Sequence, residues 1–143
     1  MTSQYRALIE ATARPLGLDA RLLEAQCWQE SSDQADAFRF EPAFYRRYVK
    51  CNPAAKAAQY GPLAACSYGL LQIMLETAVE FGFTGQPWDL FRPSVGLAAG
   101  AKYLAHLRDL HGGDMMAALL AFNGSGDASY PNRVLQRESE LDA

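Results

Sequence analysis

The sequence predicts an all-α fold. Apolar residues recur at intervals of three and four along most of the chain. Alternation of apolar and polar residues never extends beyond a few positions. Helix start and stop residues flank the periodic stretches. With 143 residues, half of them hydrophobic and 20% charged, the chain is long enough to bury one core without metals or disulfide staples. The expectation is a single domain over residues 1–143, with five to seven helices.

The elements follow in order. Tyr5, Leu8, Ile9 and Ala13 share one face of a short helix over residues 4–13, which Pro15 and Gly17 end. Asp19 is an N-cap for a helix running to about Glu30, with Leu22, Leu23 and Cys27 inside. A polar turn at 33–36 opens an irregular excursion over about 33–66, with one short helix from Pro42 to Lys50. A loop region of that length in a small domain is usually functional. Regular spacing returns over residues 70–81, read as a helix. Pro93 suits the first turn of a helix reaching about Leu110. Within it Gly96 and Gly100, four apart, permit the close approach of another helix. Asp114 caps a helix over 115–122, a Gly- and Ser-rich loop covers 123–129, and Pro131 opens a last helix that gives way to a polar tail.

Composition narrows function. The net charge is −3 and no long run of Lys and Arg occurs, so a broadly basic nucleic-acid surface is excluded. No stretch approaches the ~18 apolar residues of a membrane span. The N-terminal segment has neither the apolar core nor the cleavage site of a signal peptide, so the expectation is synthesis in the cytoplasm. Cys27, Cys51 and Cys66 form no CxxC pair, and His106 and His111 lie far from them in sequence, so no metal or other cofactor is expected. Cys51 and Cys66 could pair in an oxidising compartment; idle thiols are the simpler reading.

Three segments could carry chemistry. Glu30 ends a helix whose inner face is apolar. A helix C-terminus and an apolar wall both raise a carboxyl pKa, as a general acid near neutral pH requires, although a Glu there is more often merely solvated. Gly69 and Gln72 lie in the aliphatic run SYGLLQIM, where a glycine permits close backbone approach and an amide can bind a polar ligand. Taken alone, a helix N-terminus buried in the core, with the Gln72 amide simply satisfied, is the stronger reading of that run. Phe122-Asn123-Gly124 reads as an ordinary helix C-cap.

Together and in this order the segments resemble the lytic transglycosylases of the SLT type, part of the lysozyme-like superfamily that includes the goose-type enzymes. LDARLLEAQCWQESS resembles the catalytic helix ending in Glu-Ser. SYGLLQIMLETA resembles the Gly-Leu-Met-Gln segment, with Leu71 where methionine is more usual. VGLAAGAKYLAHL resembles the helix with a Gly-x-x-Tyr-Leu ending, and ALLAFNGS the Ala-Tyr-Asn segment. FRFEPAFYRRYV together with SYGLLQ is most similar to small single-domain members from phages and prophages.

The resemblance implies a lysozyme-like helical domain with a groove for a glycan strand. It implies peptidoglycan as partner and substrate, with cleavage of the β-1,4 bond between N-acetylmuramic acid and N-acetylglucosamine and a 1,6-anhydro product. Glu30 would be the single acid and base. Ser31, Tyr68, Gly69, Gln72, Phe122, Asn123 and Tyr130 would contact substrate or support the site. Phe122 lacks the hydroxyl of the family's tyrosine, and Tyr130 is the candidate to supply one. The alternative chemistry, a hydrolytic muramidase, needs a second carboxylate from Asp33, Asp36 or Glu41. A non-enzymatic glycan-binding domain is the alternative of another class. The aromatics between Phe38 and Tyr48 could line sugar subsites or belong to the core, and Arg39, Arg46 and Arg47 could meet the anionic wall. The expected setting is a monomeric enzyme acting on the cell wall, released after a membrane pore forms or carried in a virion.

Overall fold

The computed structural model describes residues 1–143. The chain forms seven helices. They are α1 (Arg6–Ala13), α2 (Ala20–Ser31), α3 (Pro42–Phe44), α4 (Leu75–Glu80), α5 (Pro93–Leu110), α6 (Met115–Phe122) and α7 (Tyr130–Ser139). The caps act as the sequence suggests. The Asp19 side chain accepts from the Arg21 N–H, and Asp114 accepts from the Ala117 N–H. Pro93 occupies the first turn of α5.

The main core joins α1, α2, α5, α6 and α7 through Ile9, Leu23, Cys27, Leu104, Leu119 and Val134, among others. The four-spaced glycines of α5 serve this packing. A Cβ on Gly96 would lie 2.5 Å from the Leu90 carbonyl oxygen, and one on Gly100 would lie 2.7 Å from Leu71 Cδ1. What approaches α5 is thus a helical turn at Pro87–Phe91 and a leucine side chain, rather than another helix.

The predominantly helical class is borne out, with one small addition and one helix start that needed correction. A small antiparallel sheet interrupts the all-helical reading, with strands β1 (Phe38–Phe40), β2 (Cys66–Tyr68) and β3 (Ile73–Met74) in the order β1-β2-β3. Phe38 pairs with Tyr68, and Tyr68 with Ile73. Strands of two or three residues leave too short an alternation to be recognised. The helix expected over 70–81 begins only at Leu75. Gly69 and Gln72 adopt positive φ angles of 77° and 49°, and the Gln72 N–H donates to the Gly69 carbonyl. Residues 69–72 therefore form a turn joining β2 to β3.

The excursion is also more structured than its composition suggests. The helix expected from Pro42 to Lys50 is α3 followed by a π-helical turn at Tyr45–Val49. A second apolar cluster, including Val49, Ala57, Ala64, Tyr68, Ile73 and Leu90, lies beneath the sheet. The buried Glu76 carboxylate accepts from the Lys56 and Ala57 N–H groups at 2.8 and 2.7 Å, tying the excursion to α4. The polar tail is docked as well: Leu141 is buried, and the Asp142 N–H donates to the Met1 carbonyl at 2.7 Å.

Candidate active site

Glu30 lies in the last turn of α2. The helix ends there because Ser32 and Asp33 both take the left-handed conformation, at φ 52° and 61°. Asp33 is buried and locks this turn, accepting from the Ser3 hydroxyl at 2.6 Å and the Gln4 N–H at 3.2 Å. The start of the chain therefore braces the end of the helix that carries Glu30.

Behind Glu30 stands α7. The Tyr130 hydroxyl donates to Glu30 Oε1 at 2.5 Å and accepts from Gln26 Nε2 at 3.2 Å. Gln26 is one turn before Glu30 on α2 and has no solvent exposure. Its Oε1 has no hydrogen-bond partner. A buried unpaired polar atom costs about 1–3 kcal/mol, so an aliphatic side chain here would suit stability better. The loop before α7 is fixed by Asp127, which pairs with Arg133 at 2.6 Å and accepts from the Ser129 N–H and hydroxyl. The Arg133 hydrogen bond, with those from Ser129, lowers the Asp127 pKa to about 2.

In front of Glu30 opens a cavity of about 430 Å³. Glu30, Arg39, Glu41, Gln72, Phe122 and Asn123 are among its lining residues. Burial pushes the Glu30 carboxyl up to about 7, against the opposing effects of the Tyr130 hydrogen bond and the Arg39 charge. The group is thus poised to give and take a proton near neutral pH. Burial also drives the Tyr130 hydroxyl pKa upward, with the Glu30 charge adding to the effect, so Tyr130 stays a donor. The Gln72 amide donates to the Ala37 and Gly69 carbonyls, both at 3.0 Å. Those two bonds use its N–H groups and leave its carbonyl oxygen for a ligand.

A family model described as the transglycosylase SLT domain matches residues 7–140. The chain belongs to that family. In a search of solved structures, this SLT domain is similar to a chain described as the 70-kDa soluble lytic transglycosylase in complex with bulgecin A, with a TM-score of 0.59 and 17% identity. The similarity covers 95% of this chain and 19% of that longer one, so the chain spans about a fifth of its length. No curated protein matches the sequence. The fold is therefore the lysozyme-like helical fold of that relative.

Ser31, Tyr68, Gly69 and Tyr130, expected to contact substrate or support the site, do not line the cavity of the SLT domain. The Ser31 hydroxyl donates to the Cys27 carbonyl at 3.0 Å, a bond back along its own helix. Tyr68 is buried between Phe38 and Phe91, and its hydroxyl donates to the Leu63 carbonyl. Gly69 is buried, and a Cβ there would lie 2.7 Å from the Leu90 carbonyl oxygen, so backbone packing accounts for it. Asp33, weighed as a second carboxylate, is committed to the chain start, and Asp36 is exposed. Glu41 does line the cavity, paired with Arg39 at 3.1 Å. Of the aromatics in the excursion, Phe44 lines it. Cys27, Cys51 and Cys66 are all free thiols.

Sequence reasoning assigned no role to Gln26 or Tyr103. Tyr103 lines the cavity and packs against Phe122, with ring centroids 5.4 Å apart. Its place in the Gly-x-x-Tyr-Leu segment was the available signal. For Gln26 the only signal was a polar residue at the spacing of one helical turn from Glu30.

Proposed function

We propose that this SLT domain is a peptidoglycan lytic transglycosylase with Glu30 as its one acid and base. The observation that carries the reading is the state of Glu30: a cavity-lining carboxyl raised to about 7 by burial and held by Tyr130. Family membership supports the substrate class. Protonated Glu30 gives its proton to the leaving glycosidic oxygen. The substrate's N-acetyl oxygen stabilises the positive charge at C1. Glu30, now a carboxylate, takes the proton from the muramic acid 6-hydroxyl as that oxygen attacks C1, closing the 1,6-anhydro ring. Each turnover returns Glu30 to its starting state, which suits a pKa near the working pH.

Gln72 and Asn123, on the cavity wall with Glu30, would bind sugar hydroxyl or acetamido groups. Phe44, Tyr103 and Phe122 offer apolar ring faces to the pyranoses. Arg39 supplies a positive charge for an anionic polymer in a protein of net charge −3.

The second reading, hydrolysis by a muramidase, is favoured by one observation: Glu41 shares the cavity and could position water. Its ion pair with Arg39 argues for a charge-balancing role instead. Release into the wall during phage or prophage lysis is a proposal supported by the motif resemblance alone. The test of the site is Glu30→Gln against purified sacculi. Loss of clearing with unchanged helical circular dichroism is expected, and clearing at the wild-type rate would remove Glu30 from the mechanism.

A further inference from the structure

Gln26 is the one wholly buried side-chain amide in the main core, and neither packing nor backbone capping accounts for it. It touches the site through a single group, the Tyr130 oxygen. We infer that Gln26 is a positioning residue that keeps the Tyr130 proton aimed at Glu30 Oε1, and so keeps the acid proton of Glu30 on Oε2.

Tyr130 has one hydroxyl proton and two neighbours, Gln26 and Glu30. Because Gln26 presents an N–H to the phenolic oxygen, Tyr130 can donate only to Glu30. Oε1 then already receives a hydrogen bond, and the proton of neutral Glu30 resides on Oε2. With the Gln26 donor removed, the phenolic oxygen is free to accept. Glu30 can then place its proton on Oε1, pointed at Tyr130 and withheld from the glycosidic oxygen. The unpaired Gln26 Oε1 fits the same account, since an amide turned the other way would compete for the Tyr130 proton. The inference rests on the reading of Glu30 as acid and base.

The charged and titratable groups around Glu30 are Tyr130 and Arg133 on α7, Arg39 on β1, Glu41 beyond it, and Cys27 on α2 itself. Substitution at position 26 replaces none of them, so in Gln26→Met a change in pH profile reports on the lost amide donor to Tyr130. In Gln26→Met, of similar volume, kcat on soluble glycan strands falls about tenfold or more with KM little changed. The limb at about 7 moves to higher pH, because Tyr130 no longer stabilises the Glu30 carboxylate as well. In Gln26→Glu a protonated carboxyl can replace the amide as donor, so activity survives on the acid side and falls away at lower pH than in the wild type. A third readout needs no variant: the Gln26 side-chain amide resonances of the wild-type protein titrate with the same midpoint as Glu30. Wild-type kcat and pH limb in a folded Gln26→Met, or amide resonances that do not titrate, would overturn the inference while Glu30→Gln remains inactive. An active Glu30→Gln would instead overturn the reading on which it rests.

Discussion

The Tyr130 hydroxyl, 100 residues downstream, donates to Oε1 of Glu30 at 2.5 Å. This bond joins the last turn of α2 to the first turn of α7 behind the cavity. Phe122, which lines the cavity with Glu30, offers no hydroxyl of its own.

Tyr130→Phe keeps the buried ring and removes only the hydroxyl. The bond opposes the upward shift of Glu30, so its loss raises the Glu30 pKa further above 7. The pH–rate profile should show the alkaline limb displaced upward and kcat reduced by about ten- to a hundredfold, with melting temperature little changed. An unshifted limb would mean that Tyr130 does not act on Glu30.

Glu30 also carries a stability cost with a defined sign. Its folded pKa, about 7, lies above the ordinary 4.5. The folded state therefore holds the proton more tightly, and stability falls as pH rises through that window. The penalty is absent below about pH 4 and complete above about pH 8, reaching on the order of 3 kcal/mol. Glu30→Gln should raise the melting temperature at pH 8 and leave it nearly unchanged at pH 4. Equal effects at both values would contradict the buried carboxyl.

Gly96→Ala and Gly100→Ala separate packing from helix propensity. Alanine favours a helix interior by about 1 kcal/mol over glycine. At Gly96 the added methyl meets a backbone carbonyl at 2.5 Å, and at Gly100 it meets the Leu71 side chain, which can shift. Gly96→Ala should destabilise by about 1–3 kcal/mol or more in urea unfolding, and by more than Gly100→Ala. The reverse order would mean that Leu71, not the turn at Pro87–Phe91, is the rigid neighbour.

The long helices were legible in the sequence because their apolar spacing and their caps agree, as in α5, entered at Pro93, and α6, entered at Asp114. The sheet was not, because three-residue strands carry no periodicity. The turn at 69–72 was misread because Leu70, Leu71 and Ile73 are apolar at spacings that a helix also allows; only the left-handed Gln72 distinguishes them, and Gln is an unusual residue there. Within the site, Glu30, Gln72 and Asn123 were nameable from motif order. Ser31 and Tyr68 belong to the same motifs, yet their hydroxyls are spent on the Cys27 and Leu63 carbonyls. A motif records which residues occur together, not which way each side chain turns. The Gln26–Tyr130–Glu30 chain joins residues from both ends of the sequence, so only the fold reveals it.

The central claim is that Glu30 alone acts as acid and base in a cleavage that closes a 1,6-anhydro ring. Mass spectrometry of the fragments released from purified sacculi by the wild-type protein and by Glu30→Gln, side by side, tests it most directly. The account predicts anhydro-muramic ends, each lighter by one water than the hydrolytic product, from the wild type and no fragments from Glu30→Gln. Reducing muramic ends from the wild type, or fragments released by Glu30→Gln at the wild-type rate, would contradict it.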